Sequence, residues 1–408
     1  MNNAIQSPAV NRLSVDDKLV KWMAIFLTGT VSFQRLSMAA GNIFFAIALL
    51  LFLIWLYRGR KERLQTFKAL SAKQWMVKGW LVFLATLVPA VILSIHPLLS
   101  LKTVLGMWIY RIVPFFIILV AIRKKNYLVN MLIGFLTVQS IDCMVCLYQG
   151  FVLHDPRPYG FGSSSLNLPS QMAMTIPALC ILAADHRIPR KLQLWARGNL
   201  ILAFWGFIIV KSRALWLLIA GTTPIYMIRY MWQRKIILLI VVLMFGIAGG
   251  IVSTNKYYQH RFDSTTNMTT DRSNADRLLV WESAFHMIED HPIVGVGPGN
   301  FREVYNEGYK EPTVTQDMVH THNNFIQTFA EAGVIGFAGF CYFLGVLLYE
   351  NGSALWKDRV YARLRLVTLM GITLFGLIDY TMDASAIVKD FFFLMGCFTV
   401  LGQLEEKE

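Results

Sequence analysis

Charge is scarce in this sequence of 408 residues. Only 15% of the residues are charged, whereas 55% are hydrophobic and the mean hydropathy is +0.49. Soluble domains carry about 25% charged residues, so this chain has too little charge to cover the surface of a soluble globule. The shortage argues against an ordinary soluble enzyme and predicts a membrane protein.

Cysteine and the usual signatures of metal or nucleotide chemistry are scarce as well. All five cysteines fall within apolar runs, so no extracytoplasmic disulfide framework is predicted. We interpret the Cys143-x-x-Cys146 pair as small apolar residues on a helix face rather than as a redox or metal motif. The sequence has no Asp-x-Asp pair and no Walker A motif, and the Gly295-x-Gly297-x-Gly299 run is interpreted as a turn.

What the sequence does contain is a series of apolar runs of roughly 20 residues, the length that a bilayer-spanning helix requires. Short clusters of Lys and Arg lie between these runs and mark the cytoplasmic side under the positive-inside rule. The formal net charge of +13 therefore reports topology and does not indicate a nucleic-acid partner. About twelve spans result, with both termini in the cytoplasm. They cover residues 20–36, 41–57, 76–96, 103–122, 127–149, 169–185, 196–211, 214–230, 236–253, 322–349, 364–382 and 387–403.

The predicted fold is an all-α polytopic membrane protein with one large periplasmic loop. Residues 1–253 hold the first nine spans, residues 254–321 form the loop, and residues 322–408 hold the last three spans and a cytoplasmic C-terminus. The loop opens with a polar stretch that is predicted to be irregular. It continues into residues 275–291, where apolar residues at helical spacing predict a short helix on the membrane surface or over a cavity. The predicted apolar face consists of Leu278, Trp281, Ala284, Phe285 and Ile288.

A histidine motif lies where the loop meets the tenth predicted span. His320 and His322 flank Thr321, and Asn323 follows. Histidine titrates nearest neutral pH, so His322 is a candidate general base. Two other interpretations stay open at this point: a polar anchor at the membrane surface, or a His-x-His metal pair. A zinc site would need further ligands; two more histidines are available in the same loop, His286 and His291.

Arginines in unusual places form a second group of candidates. Arg213 lies between two spans on the outer side, Arg277 begins the predicted loop helix, and Arg157 lies in a Gly-, Ser- and Pro-rich outer segment. An arginine fork matches phosphate oxygens and stays charged at every working pH. If these side chains converge, they favour an anionic headgroup such as a pyrophosphate. The remaining candidates are single charged residues near or within spans: Arg111, Asp142, Asp379 and Asp383.

The motifs together resemble the O-antigen ligase family. His322-Asn323, nine residues, Gly333, two residues and Gly336 reproduce that family's pattern. Three further stretches are similar to it: Ser212-Arg213-Ala-Leu-Trp216, Arg277-x-x-x-Trp281 and His291-Pro through Phe301. The twelve predicted spans and the large loop between the ninth and tenth agree with this resemblance.

The resemblance implies a GT-C-like fold and an inverting glycosyltransferase that needs no metal, ATP or other cofactor. Such an enzyme moves O-antigen polysaccharide from undecaprenyl pyrophosphate to a sugar hydroxyl of lipid A–core, on the periplasmic face of the bacterial inner membrane. Its partners are these two substrates and membrane lipids. The implied roles are general base for His322, pyrophosphate binding for Arg213 and Arg277 with help from Arg157, and substrate binding or orientation for His320 and Asn323.

Three alternatives remain at the level of sequence. An O-antigen polymerase, which extends glycan on its lipid carrier, has related motifs. A transporter of lipid-linked glycan would instead spread charged residues through the spans and show inverted repeats. A purely structural membrane partner would tolerate the loss of His322 without a chemical phenotype.

Overall fold

The computed structural model describes residues 8–162, 165–233, 235–256, 258–259, 272–314, 318–355 and 357–407. Within these ranges every regular element is helical, and no β-strand occurs. The all-α class predicted from the sequence is therefore confirmed. Most of the predicted irregular stretch at the start of the long loop, residues 260–271, lies outside the described residues.

The helices are labelled α1 to α16 in chain order. Their bounds are α1 Pro8–Phe33, α2 Met38–Arg58, α3 Arg60–Ala72, α4 Trp75–Ile92, α5 Pro97–Val104, α6 Val113–Ala121, α7 Lys125–Phe151, α8 Asn167–Ala184, α9 Arg190–Ile209, α10 Arg213–Gln233, α11 Lys235–Thr254, α12 Arg272–Asp290, α13 Phe301–Val304, α14 Asn324–Gly352, α15 Val360–Phe375 and α16 Ser385–Glu405. Two π-helical segments, Leu105–Tyr110 and Tyr305–Tyr309, follow α5 and α13.

Eight helical segments among the described residues are long and apolar enough to cross a membrane. They are α2, α4, the run Pro97–Ala121 that joins α5 to α6, α7, α8, α9, α14 and α16. The other four predicted spans coincide with α1, α10, α11 and α15, which do not meet the same criteria of length and composition over their described residues. A multi-pass membrane protein is supported, and the number of about twelve crossings and the GT-C-like arrangement stay predictions.

One predicted boundary is wrong in a way that matters for the site. The eleventh span was predicted to continue to residue 382, but α15 ends at Phe375 and residues 376–384 form turns. The side chains of Asp379 and Thr381 in these turns have hydrogen-bond partners at the start of α14. Tertiary contacts of polar side chains thus end the helix where hydrophobicity alone would have let it continue.

The centre of the bundle is formed by α8 and α16, with α15 packed against both. Around them, α4 packs along α14, and α7 packs along α9. Cys143, Cys146 and Cys397 are buried here as free thiols. The interpretation of the Cys-x-x-Cys pair as packing residues is therefore confirmed.

Basic residues between the helices gather at one end of the bundle. Arg187 and Arg363 both pair with Asp358, at 2.9 and 3.0 Å, and the Arg123 guanidinium donates to Gln403 Oε1 at 2.7 Å. These residues lie beyond the C-terminal end of α14, whereas the histidine motif precedes its N-terminal end. With 29 residues in α14 and a rise of about 1.5 Å per residue, roughly 40 Å separates the two ends.

The helix α14 is broken at Gly333, the first glycine of the sequence motif. Gly333 has φ 59° and ψ −169°, a conformation that is essentially restricted to glycine. The break leaves backbone carbonyls without partners inside the helix. Ala330 and Glu331 instead accept hydrogen bonds from the amides of Val296 and Gly297, at 3.0 and 2.8 Å. The glycine-rich turn therefore completes the hydrogen bonding of the broken helix.

The same turn also satisfies the amides beyond the break. Val334 donates to the Pro292 carbonyl at 2.8 Å. A Cβ atom on Gly333 would lie 2.3 Å from the carbonyl carbon and oxygen of Ile293, and one on Gly295 would lie 2.5 Å from the carbonyl carbon of Glu331. Because two backbones approach so closely, the glycines here are structural, and the interpretation of the Gly-x-Gly-x-Gly run as a turn is confirmed.

We expect Gly333→Ala to unfold or strongly destabilise the protein. Backbone strain at this conformation costs about 1–3 kcal/mol, and the clash with Ile293 adds to it. Gly345→Ala in the same helix is the matched control, because no atom lies within 4 Å of a Cβ there. Thermal melting of the detergent-solubilised variants, followed by size-exclusion chromatography, measures the difference. Equal melting temperatures for the two variants would contradict this explanation of the motif.

Candidate functional site

The histidine motif forms a tight turn at the N-terminus of α14. Asn323 caps the helix, because its side-chain oxygen accepts hydrogen bonds from the amides of Phe325 and Ile326 at 2.8 and 3.1 Å. His322 has φ 53°, in the left-handed region that residues other than glycine rarely adopt. Strain of this kind is often found at functional sites, where the surrounding structure holds it in place.

His322 is paired with Asp379 from the turn after α15. The distance from His322 Nδ1 to Asp379 Oδ1 is 3.1 Å, and the two side chains are 22% and 11% exposed. When Nδ1–H donates to the carboxylate, the neutral ring has its lone pair on Nε2. The pair can therefore accept a proton at Nε2 and stabilise the resulting imidazolium through Asp379.

The turn that carries Asp379 is fixed to the start of α14. The side-chain nitrogen of Asn324 donates to Thr381 Oγ1 at 2.9 Å, and its side-chain oxygen accepts from the backbone amide of Met382 at 3.3 Å. The Asn323 side chain donates to the Leu377 carbonyl at 3.0 Å. These contacts hold the carboxylate next to the imidazole.

His320 lies against His322 on the other side of the turn. Its Nδ1 accepts a hydrogen bond from the His322 amide at 3.2 Å, and the two ring centroids are 4.3 Å apart. Burial lowers the pKa of His320 to about 4, and the neighbouring His322 contributes in the same direction. His320 is therefore neutral at physiological pH, as an acceptor at Nδ1 must be.

The helix α12 is tied to the same turn. Trp281 Nε1–H donates to the Thr321 carbonyl at 2.7 Å, and the Thr321 amide donates to Gln327 Oε1 at 2.8 Å. The predicted loop helix is thus observed, although part of its predicted apolar face differs. Leu278 and Phe285 are exposed, while Val280 and other residues on the neighbouring face are buried.

A cavity of about 260 Å³ lies beside the His322–Asp379 pair, and we call it the arginine cavity. Three of the sequence-predicted arginines line it together with Asp379: Arg157, Arg213 and Arg277. They come from the segment before α8, the start of α10 and the first turns of α12. Arg213 also donates to Asn274 Oδ1 at 3.3 Å, which links α10 to α12. Residues that are far apart in the sequence thus form one positively charged surface.

A second cavity, of about 510 Å³, lies on the His320 side of the motif, and we call it the lateral cavity. Two of the remaining sequence candidates, Arg111 and Asp383, line this cavity rather than the first. Asp142, the last of them, forms a buried ion pair with Arg35 in the bundle interior, and this contact favours a structural role. Arg35 was not among the sequence candidates, since nothing near it in the chain indicates this partner.

The histidine motif also has the donor set of a cation site. One ligand atom from each of His320, His322 and Asp379 lies within 4.8 Å of the other two. Two imidazoles and a carboxylate match the three protein ligands of many catalytic zinc sites. Among the residues that the structure describes, the third potential metal ligand is Asp379 rather than His286 or His291. The 3.1 Å separation of His322 and Asp379 also suits the direct hydrogen bond described above.

The predicted role of Asn323 in substrate binding is not favoured by its geometry. Its side chain makes three hydrogen bonds within the protein, and the residue is only 7% exposed. Asn323 therefore shapes the turn that presents His322. Asp379 was one of several single candidates in the sequence, and only the fold identifies it as the partner of His322.

The fold and this site define a multi-pass, helical membrane protein with a cluster of polar and charged side chains at one end of the bundle. Residues 198–341 match the family model described as O-antigen ligase. This match over part of the chain confirms the resemblance to the O-antigen ligase family that the sequence motifs showed. The matched region contains Arg213, Arg277, His322 and Gly333, whereas Arg157 and Asp379 lie outside it. No curated protein matches the sequence at a significant level.

Proposed function

We propose that the protein is an O-antigen ligase that transfers polysaccharide from undecaprenyl pyrophosphate to a sugar hydroxyl of lipid A–core. The reaction centre would face the periplasm, at the outer surface of the bacterial inner membrane. The observation that carries this proposal is the convergence of Arg157, Arg213 and Arg277 in one cavity beside the His322–Asp379 pair. Both parts of a glycosyl transfer, a base and an anion site, are thereby adjacent.

In the proposed reaction, His322 Nε2 removes the proton from the acceptor hydroxyl. The hydroxyl oxygen forms a bond to the anomeric carbon of the donor sugar as the bond from that carbon to the pyrophosphate oxygen breaks. Asp379 stabilises the imidazolium that forms, and attack from the face opposite the leaving group inverts the anomeric configuration. No metal or nucleotide is required in this scheme, because the glycosyl pyrophosphate is already activated.

The arginines act on the leaving group. Negative charge accumulates on the pyrophosphate as the glycosidic bond breaks, and fixed guanidinium groups can stabilise this charge without reorganisation. Arg213 and Arg277 lie on two helices that are linked through Asn274, so their positions relative to His322 are set before substrate binds. Arg157 contributes from the neighbouring segment, and His320 and Asn323 keep the imidazole of His322 oriented.

Lipopolysaccharide from cells that lack the gene tests the proposed function. We expect core without attached O-antigen on a gel, together with long glycan chains that accumulate on the lipid carrier. Complementation with the wild-type gene should restore core-linked chains, and complementation with His322→Ala should not. If core bearing a single repeat unit remains in the deletion strain, the protein is a polymerase; an unchanged gel would exclude both activities.

A further inference from the structure

The lateral cavity has a composition different from that of the arginine cavity. Three cationic side chains line it: Lys102 from α5, Arg111 from the turn before α6 and Arg302 from α13. Two carboxyl groups, Asp383 and Glu331, line it as well. A mixture of cations and carboxyl groups suits a ligand that carries both phosphate groups and sugar hydroxyls.

The charges in the lateral cavity are not all engaged within the protein. Lys102 is exposed, and it has no hydrogen-bond or ion-pair partner among the described residues. Asp383 is exposed as well. By contrast, Glu331 accepts from Gln327 Nε2 at 3.0 Å, and Arg111 donates to the Met382 carbonyl. The side chains best placed to meet a ligand are therefore the exposed ones, Lys102 and Asp383.

An unusual backbone shapes one wall of the lateral cavity. The π-helical segment Leu105–Tyr110 contributes Gly106, Met107 and Tyr110, and π-helical turns inside α-helical runs are frequent at functional sites. A Cβ atom on Gly106 would meet no atom within 4 Å, so this glycine borders open space. The segment thus lines the cavity together with Met38 and Asn42 of α2, and Tyr110 donates to Asn42 Oδ1 at 3.2 Å.

The lateral cavity borders surfaces that suit the membrane interior. Met38 at the start of α2 is 65% exposed, Ile43 one turn later is 60% exposed, and Leu105 in the π-helical segment is 45% exposed. Asn42 and Gly106, which line the lateral cavity, are the sequence neighbours of Ile43 and Leu105. A ligand whose acyl chains lie against these apolar side chains can place a polar headgroup in the cavity.

The inner wall of the lateral cavity is the reaction centre itself. His320 and Tyr380 line it, and their ring centroids are 5.5 Å apart. His320 in turn contacts His322, whose partner Asp379 lines the arginine cavity. The histidine motif therefore lies between the two cavities, because His320 lines the lateral cavity and the partner of His322 lines the arginine cavity.

We propose that the lateral cavity binds the acceptor as the phosphorylated saccharide headgroup of a membrane amphiphile, with Lys102 and Arg302 pairing with its phosphate groups. Asp383, which lines the same cavity, accepts hydrogen bonds from sugar hydroxyls. This inference rests on the proposed function, since it divides the two substrates between the two cavities. The donor pyrophosphate goes to the arginine cavity, which has three guanidinium groups and a single carboxylate.

Steady-state ligation by the purified protein tests this inference. Lys102→Met and Arg302→Gln are each expected to raise the KM for the phosphorylated acceptor about tenfold, with little change in kcat or in the KM for the lipid-linked donor. Lys102→Arg should restore most of the loss. Lys68→Met, on the exposed face of α3, is the control and should match the wild type.

Treatment of the acceptor with phosphatase is a second test, because it removes the phosphate groups that Lys102 and Arg302 are proposed to bind. Removal of its phosphates should raise the KM of the wild-type enzyme and leave that of the Lys102→Met/Arg302→Gln double variant unchanged. If the double variant instead loses affinity for the donor, or keeps wild-type KM for the phosphorylated acceptor, the assignment of the lateral cavity is wrong.

Direct binding separates this inference from the proposed function. Microscale thermophoresis without donor is expected to detect binding of the phosphorylated saccharide lipid to the wild type and about tenfold weaker binding to Lys102→Met. Binding without ligation would leave the lateral cavity assigned and overturn the ligase proposal. Binding of only the carrier-linked glycan, weakened by Lys102→Met, would overturn the inference and indicate a donor site here.

Discussion

Replacement of His322 by alanine is expected to lower the rate of glycan transfer at least about 100-fold, because general-base catalysis contributes about 10²–10⁴-fold. The substitution removes the imidazole that is paired with Asp379, a residue that lines the arginine cavity. Transfer from a lipid-linked donor to lipid A–core, measured with purified protein, gives the rate. His186→Ala, on an exposed position at the opposite end of the bundle, is the control.

The same experiment with Asp379→Asn separates the base from its partner. The asparagine side chain keeps the size of the carboxylate but no longer stabilises an imidazolium, so we expect a loss of roughly tenfold or more, smaller than for His322→Ala. Thermal melting must show that both variants remain folded, since residues 376–384 are anchored to the start of α14. Full activity of a folded His322→Ala protein would exclude His322 as the base.

Arg277 is the second position at which a large effect is expected. Loss of one fixed group that stabilises developing charge costs about 10²–10³-fold in rate, so Arg277→Gln should lower kcat by about two orders of magnitude. Arg277→Lys keeps the charge but loses the planar fork, and it should restore only part of the rate. The exposed Arg190 at the start of α9, changed to lysine, is the matched control.

A full restoration by lysine would show that charge alone suffices at Arg277. Bidentate recognition of the pyrophosphate would then be wrong for this residue, while the location of the anion site would stand. Normal activity of a folded Arg277→Gln protein would remove Arg277 from the anion site altogether. Binding of undecaprenyl pyrophosphate to the same variants tells these cases apart, because it does not depend on the acceptor.

The glycine of the sequence motif now has a physical explanation. The spacing from His322-Asn323 to Gly333 is the length of the first segment of α14, from its cap to its break. The break allows the turn around Gly295 and Gly297 to hydrogen-bond into the helix. A motif that resembles a catalytic signature is therefore partly a signature of folding, and His322 is the residue of the motif that we propose to act in the reaction.

The sequence by itself determined the helical class and the approximate position of nearly every helix. Hydrophobic runs and basic clusters are local signals, and a helix satisfies its own backbone hydrogen bonds, so its position depends little on distant residues. The sequence also identified the histidine motif and the arginines as candidates, because charged and titratable groups are unusual in such a chain.

The tertiary structure alone decided which of these candidate residues lie close together. Arg157 and Arg277 line the same cavity although they lie on different segments, and Asp379 reaches His322 across 57 residues of sequence. Asn323 resembled a ligand-binding residue in the sequence, but the fold uses it as a helix cap. Convergence of side chains depends on how helices pack and where α15 ends, and neither is encoded in local spacing.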